Sequence, residues 1–277
     1  MFFTIQLTRL YQKNSYAGKE KKYPVRARYL VYLILLLSFV ACAADKTAIR
    51  DEPLFIPEES FKKANELIQN KNYVEARELL ETIKVKDASQ KYAPLARLRI
   101  ADTYFNEESF DEAVIEYESF LDVYSDHQYA SYAQYKLAMC FFQRIKSVDI
   151  GYSWAKRALR EFEKLQQRYP RNPYMDILDT RIMACMNILA EYEYYVGNFY
   201  YKKGSYNAAI GRFNGMLKDY PHSVRVPEAL YYTGLSYEQL GQGDEAIHSL
   251  TALIDRFPAT ELSIDAKKRV HSLDKEQ

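Results

Sequence analysis

Three cysteines, four histidines and a few paired carboxylates are the side chains that covalent or metal chemistry would draw on here, and their spacing rules most of that chemistry out. His127, His222, His248 and His271 each stand alone, near helix ends or on polar stretches, without an obvious catalytic partner. No CxxC pair or Cys/His cluster has the spacing of a metal site. The pairs Glu107-Glu108 and Asp111-Glu112 lie around a predicted helix start, where acidic groups favour the helix dipole without any catalytic duty. A phosphate loop, a dinucleotide fingerprint and a nucleophile elbow are all absent. The residues therefore support no enzyme, no cofactor and no metal. Cys140 and Cys185 fall on predicted helices, where Cys packs as a small apolar residue; a disulfide in an oxidising compartment is the alternative. That leaves Cys42.

Cys42 follows a basic flank (Lys19, Lys21, Lys22, Arg26, Arg28), an apolar stretch from Tyr29 to Val40, and a small-residue exit, Ala41-Cys42-Ala43-Ala44-Asp45. Those three features mark a secretory leader. The apolar stretch is also much shorter than the roughly 20 residues a helix needs to cross a bilayer. Its Phe39-Val40-Ala41-Cys42 ending resembles a lipobox, in which the Cys thiol is acylated and becomes the new amino terminus. Residues 1–41 are then a signal peptide and 42–56 a lipidated flexible linker, with an uncleaved anchor as the alternative. Acylation by two or three chains gives firm attachment, since each buried methylene contributes about 0.8 kcal/mol and one chain is marginal. In bacterial lipoproteins Asp directly after the Cys favours inner-membrane retention; Ala43 stands there, which points to the outer membrane.

The 38 basic residues nearly balance the 37 acidic ones, so net charge gives no reason to expect nucleic acid. Tyr and Phe, at 26 and 14 against the single Trp154, are the compositional anomaly. Rigid amphipathic rings give large contact area at low entropic cost, in a repeat core or at a binding surface.

The elements are set by a ladder of small residues. Ala64, Ala101, Ala138, Gly197 and Gly234 recur at steps of 37, 37, 59 and 37, each followed three residues later by Leu67, Tyr104, Phe141, Tyr200 or Tyr237. A second set, Ala76, Ala113, Ala158, Ala209 and Ala246, is followed at the fourth residue by Leu80, Tyr117, Phe162, Phe213 or Leu250. A small residue with a bulky one three or four on makes a close-approach point and a plug on one helix face. Two such faces per unit make a helical hairpin. The later hairpins end at Tyr169-Pro170, Tyr220-Pro221 and Phe257-Pro258, where Pro stops the helix; Tyr124-Ser125 and Asp87-Ala88 occupy that place in units two and one.

This pattern resembles the tetratricopeptide repeat over roughly residues 57 to 258. The expected fold is all-α: a right-handed tetratricopeptide-repeat superhelix of five helical hairpins, closed by a capping helix over Glu261 to Leu273. The 59-residue step places eight extra residues between the helices of unit three, around Ile145 to Tyr152, and fourteen more before Gly197, lengthening the first helix of unit four. That irregularity divides the array into an N-terminal half, 57–145, and a C-terminal half, 146–277.

In such a solenoid the first helices line the concave face, mainly three before and four after the small residue. Those rows read Phe61, Leu98, Tyr135, Tyr194, Tyr231 and Ile68, Phe105, Phe142, Tyr201, Glu238. In units one to three they form an apolar and aromatic groove, with Asn65, Asp102, Asn106 and Gln143 beside it to hydrogen-bond a peptide backbone. The candidate peptide-binding set is Phe61, Ile68, Leu98, Asp102, Phe105, Tyr135 and Phe142, suited to an extended segment carrying aromatic side chains. Packing of the same rings on neighbouring helices or on the linker is the alternative.

The stretches from Ala190 to Gly197, Tyr200 to Tyr206 and Gly215 to Pro221 narrow the likeness. With the lipid-modifiable Cys, the aromatic-Pro repeat ends, the unit-three insertion and the long helix of unit four, the chain resembles the BamD/ComL family of outer-membrane assembly lipoproteins. That resemblance implies a scaffold at the periplasmic face of the outer membrane, anchored through its lipid. Its early repeats would recognise the carboxy-terminal signal of unfolded barrel proteins. Its later repeats would dock a barrel insertase of the BamA type, with accessory lipoproteins as further partners. Lys202 and Lys203, in the turn before Gly204, match the family's docking turn, and Tyr201 and Tyr231 lie with them in the candidate docking set. The competing expectation is another tetratricopeptide lipoprotein or periplasmic adaptor, for pilus assembly or cell-wall coordination.

Overall fold

The computed structural model describes residues 55–276. The leader, Cys42 and the linker up to residue 54 lie outside the described residues. Eleven helices follow in chain order. They are α1 Pro57–Gln69, α2 Tyr73–Lys86, α3 Ala93–Asn106, α4 Phe110–Val123, α5 Ala130–Phe142, α6 Val148–Arg168, α7 Met175–Lys202, α8 Tyr206–Asp219, α9 Val226–Gln239, α10 Gly243–Arg256 and α11 Glu261–Glu276. Each packs on its neighbours in sequence, and α9 also touches α7 and α11. Ten helices pair into five hairpins and α11 covers the last, which is the tetratricopeptide architecture that the ladder spells out.

The ladder residues explain the pairing. Ala64, Ala101, Ala138, Ala76, Ala113, Ala158, Ala209 and Ala246 are fully buried. Gly197 and Gly234 press closer still: a Cβ on Gly197 would lie 2.5 Å from the Phe213 ring, and one on Gly234 2.6 Å from Leu250 Cγ. In units four and five the small residue of the first helix thus receives the plug of its own second helix.

The turns inside the hairpins repeat as well. Seven residues past the small residue the backbone is left-handed, at Lys71 (φ 60°), Glu108 (φ 60°), Gly204 (φ 74°) and Gly241 (φ 71°). The next N–H then donates back to the carbonyl of Leu67, Tyr104, Tyr200 or Tyr237 at 2.8–3.0 Å, the Schellman closure of a helix end. Lys71 and Glu108 hold this conformation against the Cβ penalty that glycine avoids.

Unit three departs from that turn, and from the expectation of an insertion lying between its helices. Ser147 turns extended (φ −153°, ψ 166°) and α6 starts at Val148, so α6 runs 21 residues where the other second helices run 14. Most of the insertion is therefore helical. The segment from Val148 has no proline, and its Gly151 admits Ile145 of the preceding turn, whose Cγ2 would lie 2.9 Å from a Cβ there.

Between hairpins, Tyr124, Tyr169, Tyr220 and Phe257 cap the second helices. Unit one, lacking the aromatic, solves the joint with Asp87. That residue is 1% exposed, and its carboxylate accepts the N–H groups of Tyr92 (2.6 Å), Ala93 (3.0 Å) and Ser89 (3.1 Å), satisfying orphan donors where α3 begins. Burial works to raise its pKa, but the Ser89 hydroxyl, which also donates to this carboxylate, and then the three N–H groups hold it below the usual carboxylate value.

Buried apolar residues fall into three clusters: one between units one and two (Leu80, Ile83, Ile100), one through units two and three, and one through units four and five. The 28-residue α7 belongs to two of them. Leu178, Ile182 and Cys185 join the middle cluster, whereas Ala190 joins the last.

Candidate functional site

The concave rows come from first helices, whose Cβ positions three before and four after the small residue share one face. In units one to three these side chains are mostly spoken for by neighbours. Phe61 is half-buried against Tyr92, with ring centroids 5.6 Å apart, and Ile68 packs on the same cluster. Leu98 is 6% exposed. Tyr135 stacks on Tyr174 at 4.1 Å with planes 3° apart. Phe105 meets Phe110 edge to face at 5.5 Å and carries Lys136 Nζ over its ring at 3.2 Å. Phe142 lies between Phe162, at 6.0 Å, and the Arg181 guanidinium, 4.9 Å above the ring.

Asp102 is engaged internally. It is 5% exposed; the hydroxyls of Tyr117 (2.6 Å) and Tyr132 (2.7 Å) donate to its Oδ1, and Arg99 donates to its Oδ2 at 3.0 Å. Burial first, and then this carboxylate, push the pKa of both tyrosines up. Expected as a ligand of peptide backbone, Asp102 instead ties α4 and α5 to α3. Asn65 likewise donates to Phe61 O within its own helix at 2.9 Å, while Asn106 and Gln143 are exposed.

What stays open is a pocket of about 230 Å³ lined by Phe61, Leu98, Leu95, Arg99, Tyr129 and Tyr132. Sequence reasoning placed Phe61 and Leu98 here and missed the other four. A signal was present: Leu95 and Tyr132 both lie six residues before their small residue, one turn ahead of the Leu98 and Tyr135 row. A shallower pocket on the outer side of Phe61 is lined by Ile56, Lys62, Asn65 and Tyr92 together with Glu58, Glu59 and Glu66.

Units four and five fill the same surface differently. Glu191 and Glu228 stand six before the small residue, where the earlier units have Leu95 and Tyr132. Arg225 grips Glu191 through two nitrogens, one at 2.8 Å, and Glu228 at 2.9 Å, while stacking 5.0 Å from the Tyr194 ring. Hydrogen bonding to Glu191 raises the Arg225 pKa, and burial first, then the neighbouring Tyr232 and Glu228, push the Tyr194 pKa up to about 12. Arg269 bonds Glu238 at 3.1 Å and Asp265 at 2.7 Å, with Tyr231 donating to the same Asp265. Tyr201 packs edge to face on Tyr232 at 5.0 Å, and Tyr231 on Tyr232 at 5.5 Å, so both candidate docking tyrosines belong to one internal aromatic group.

Lys202 and Lys203 are exposed at the end of α7. Lys203 Nζ sits 5.3 Å from the Phe199 ring, and that ring is itself 50% exposed. Tyr195, one turn earlier on the same face, is 63% exposed. Sequence reasoning missed both rings, although Phe199 is the only aromatic two residues after a ladder position; the others are Glu66, Thr103, Cys140 and Ser236. Cys140 and Cys185 are free, buried thiols whose pKa burial pushes up to about 12.

Comparison with known proteins adds to this geometry. Two curated relatives, each named outer membrane protein assembly factor BamD, come from Neisseria meningitidis and Caulobacter vibrioides. The first is 25% identical over 244 residues, covering 83% of this chain and 91% of the relative. The second is 24% identical over 246 residues, covering 87% and 80%. Among solved structures, the TPR2AB domain of yeast Sti1 in its pHSP90 complex aligns with a TM-score of 0.44 at 12% identity, covering 79% of this chain and 83% of that one. A family model described as YfiO, outer membrane lipoprotein, matches residues 56–249. That match begins just ahead of α1 and ends within α10, taking in nine of the paired helices and the start of the tenth, and so the chain belongs to the YfiO outer membrane lipoprotein family.

Proposed function

We propose that this chain is a non-catalytic scaffold of outer-membrane protein assembly. It is held by lipid on Cys42 at the periplasmic face of the outer membrane, with an N-terminal half that receives carboxy-terminal segments of unfolded barrel proteins and a C-terminal half that docks the barrel insertase. The assembly role rests on the relatives named as BamD. The division of labour rests on one contrast in what lines the two halves. In units one to three a pocket is lined mainly by Phe61, Leu98, Tyr129 and Tyr132, whereas the pocket at the last unit is lined by the charged Glu238, Asp265, Lys268 and Arg269, and Arg225 ties Glu191 to Glu228 beside unit four.

An open pocket flanked by rings takes an aromatic side chain of an extended segment, and nearby polar groups meet its backbone. Ordering an unfolded segment offsets part of the contact energy, so affinity is modest, and tethering at the membrane compensates by raising local concentration. Docking belongs to exposed groups of the later half. Tyr195 and Phe199, 63% and 50% exposed, form with Lys202 and Lys203 a partly exposed aromatic and basic face at the end of α7.

The test places a photoreactive residue at Tyr129 or at Phe199. Tyr129 captures a synthetic barrel carboxy-terminal peptide and Phe199 captures the insertase; Phe105→Ala combined with Tyr135→Ala weakens the first capture and spares the second. Peptide capture at both positions alike, or at neither, refutes the division. Cys42→Ser releases the chain from membranes, and continued membrane extraction behaviour refutes the anchor.

A further inference from the structure

The lengthened second helix of unit three, α6, turns a row of cations outward. Its inner face is Ala155, Ala158, Phe162 and Leu165, all fully buried. On the opposite side Lys156, Arg157, Arg160, Lys164 and Arg168 fall within about 120° of the helix circumference and over about 18 Å of its length. All five are exposed. Arg160 and Lys164 share the carboxylate of Glu161, which is 2% exposed, yet their own side chains remain 60% and 55% exposed. Lys156, Arg157 and Arg168 have no ion-pair partner among the described residues, and Glu163, at the edge of the row, is half-buried. The second helices on either side are different. In unit two α4 holds five acids, Asp111, Glu112, Glu116, Glu118 and Asp122, and no basic residue. In unit four α8 holds Arg212, tied to Glu193, and Lys218 beside Asp219.

Exposed cations strung along three turns meet a broad anionic plane at every turn, whereas a single acidic group would engage one of them. The family to which the chain belongs is one of outer membrane lipoproteins, so the anionic plane within reach is a phospholipid surface. We infer that α6 lies along the anionic phospholipid headgroups of the membrane through this basic row. Juxtamembrane Lys and Arg are attracted to such a surface, and the attraction grows with their number. The acids of α4 are repelled by it, so opposite charge on the second helices of consecutive units fixes which side of the array turns to the bilayer. A chain tethered only by lipid turns freely above the membrane; the row sets its attitude.

The probe protein is the mature chain with Cys42→Ser, which removes the proposed acylation site and leaves the row to act alone. It is floated with vesicles of phosphatidylcholine containing phosphatidylglycerol, and with vesicles of phosphatidylcholine only. Binding is expected to the first alone, and to vanish at 1 M salt, where the Debye length is about 3 Å. The same salt separates this contact from the lipid anchor, which survives it. Each cation at an anionic surface is worth roughly fivefold, so Lys156→Gln with Arg157→Gln and Arg168→Gln weakens binding roughly a hundredfold. These three spare Arg160 and Lys164, which serve the buried Glu161. Because Arg157 also covers the Phe141 ring, the pair Lys156→Gln, Arg168→Gln is measured as well, with a loss of roughly 25-fold, and circular dichroism reports the fold of each variant. A control replaces the exposed Lys62, Lys63 and Lys267 of α1 and α11 by Gln, an equal change of net charge, and keeps its binding. Failure to bind the anionic vesicles, or equal binding to both kinds, overturns the inference, and so does an equal loss in the control and the α6 variants. None of these results bears on the anchor at Cys42, which is judged by membrane retention of the unaltered protein in high salt.

Discussion

Replacing Asp102 by alanine tests whether this residue holds the second and third hairpins together. Its carboxylate is 5% exposed and accepts from Tyr117, which is fully buried, at 2.6 Å and from Tyr132 at 2.7 Å. In the alanine variant the Tyr117 hydroxyl loses its partner in a site closed to water, a loss of about 1–3 kcal/mol. Tyr132, on the pocket wall, regains water and contributes less, and the largely exposed Arg99 adds almost nothing. The sum is about 3 kcal/mol. Asp102→Asn keeps an acceptor oxygen in the same place and loses only the charge assistance, about 1 kcal/mol. Tyr117→Phe added to Asp102→Ala removes the orphaned hydroxyl, so the double variant is more stable than Asp102→Ala alone. Urea titration followed by the fluorescence of Trp154 reads this directly. Trp154 stacks on Phe141 at the α5/α6 contact, in the same buried cluster as Tyr117. Equal midpoints for the alanine and asparagine variants, or effects that simply add in the double variant, refute the argument.

Gly197→Ala and Gly234→Ala each gain helix propensity but drive a methyl to within 2.6 Å of Phe213 or Leu250, and overpacking of about 1–3 kcal/mol outweighs the gain. A thermal midpoint that stays level or rises contradicts this. Asp87→Ala removes the acceptor at the start of α3 and lowers stability by about 1–2 kcal/mol at neutral pH. Because the folded pKa of Asp87 is lowered, its contribution is full above the ordinary carboxylate value near ~4 and fades as pH falls through the folded one. The difference between Asp87→Ala and the unaltered protein therefore shrinks in acid, and a gap independent of pH would contradict the assignment. Cys140 and Cys185, with pKa values of about 12, resist iodoacetamide near pH ~8 until the chain unfolds; rapid labelling of the native protein would show that they are not held in the core.

Hairpin number, helix pairing, the long α7 and the capping helix were all legible, because a close helix contact demands a small residue at a fixed place and little else can stand there. Gly197 and Gly234 show how strict that demand is. The position of the unit-three insertion was less legible. Counting residues says how many are extra, whereas whether they form loop or helix depends on where the turn is closed, and there Ile145 occupies the place that Gly204 and Gly241 hold in later units. Asp87 shows the same limit. An acidic residue in place of an aromatic reads as a missing joint, yet its carboxylate makes the joint by another chemistry.

The groove was legible as a face and illegible as a surface. Periodicity says which side of a helix a residue occupies; it does not say which neighbour covers it. Tyr135 was read as a free ring of the concave row, and Tyr174, reached only by folding, stacks on it. Conversely the row six before the small residue changes from Leu95 and Tyr132 to Glu191 and Glu228, a switch visible in the sequence whose meaning depends on Arg225. Arg225 lies outside the ladder; it meets Glu228 three residues on in its own helix, and Glu191 only because α7 and α9 touch. The two halves thus share one backbone plan and differ in how their concave charges are satisfied. In the later repeats acids and arginines pair with one another and line a charged pocket, whereas the pocket of the earlier repeats is lined mainly by apolar and aromatic side chains.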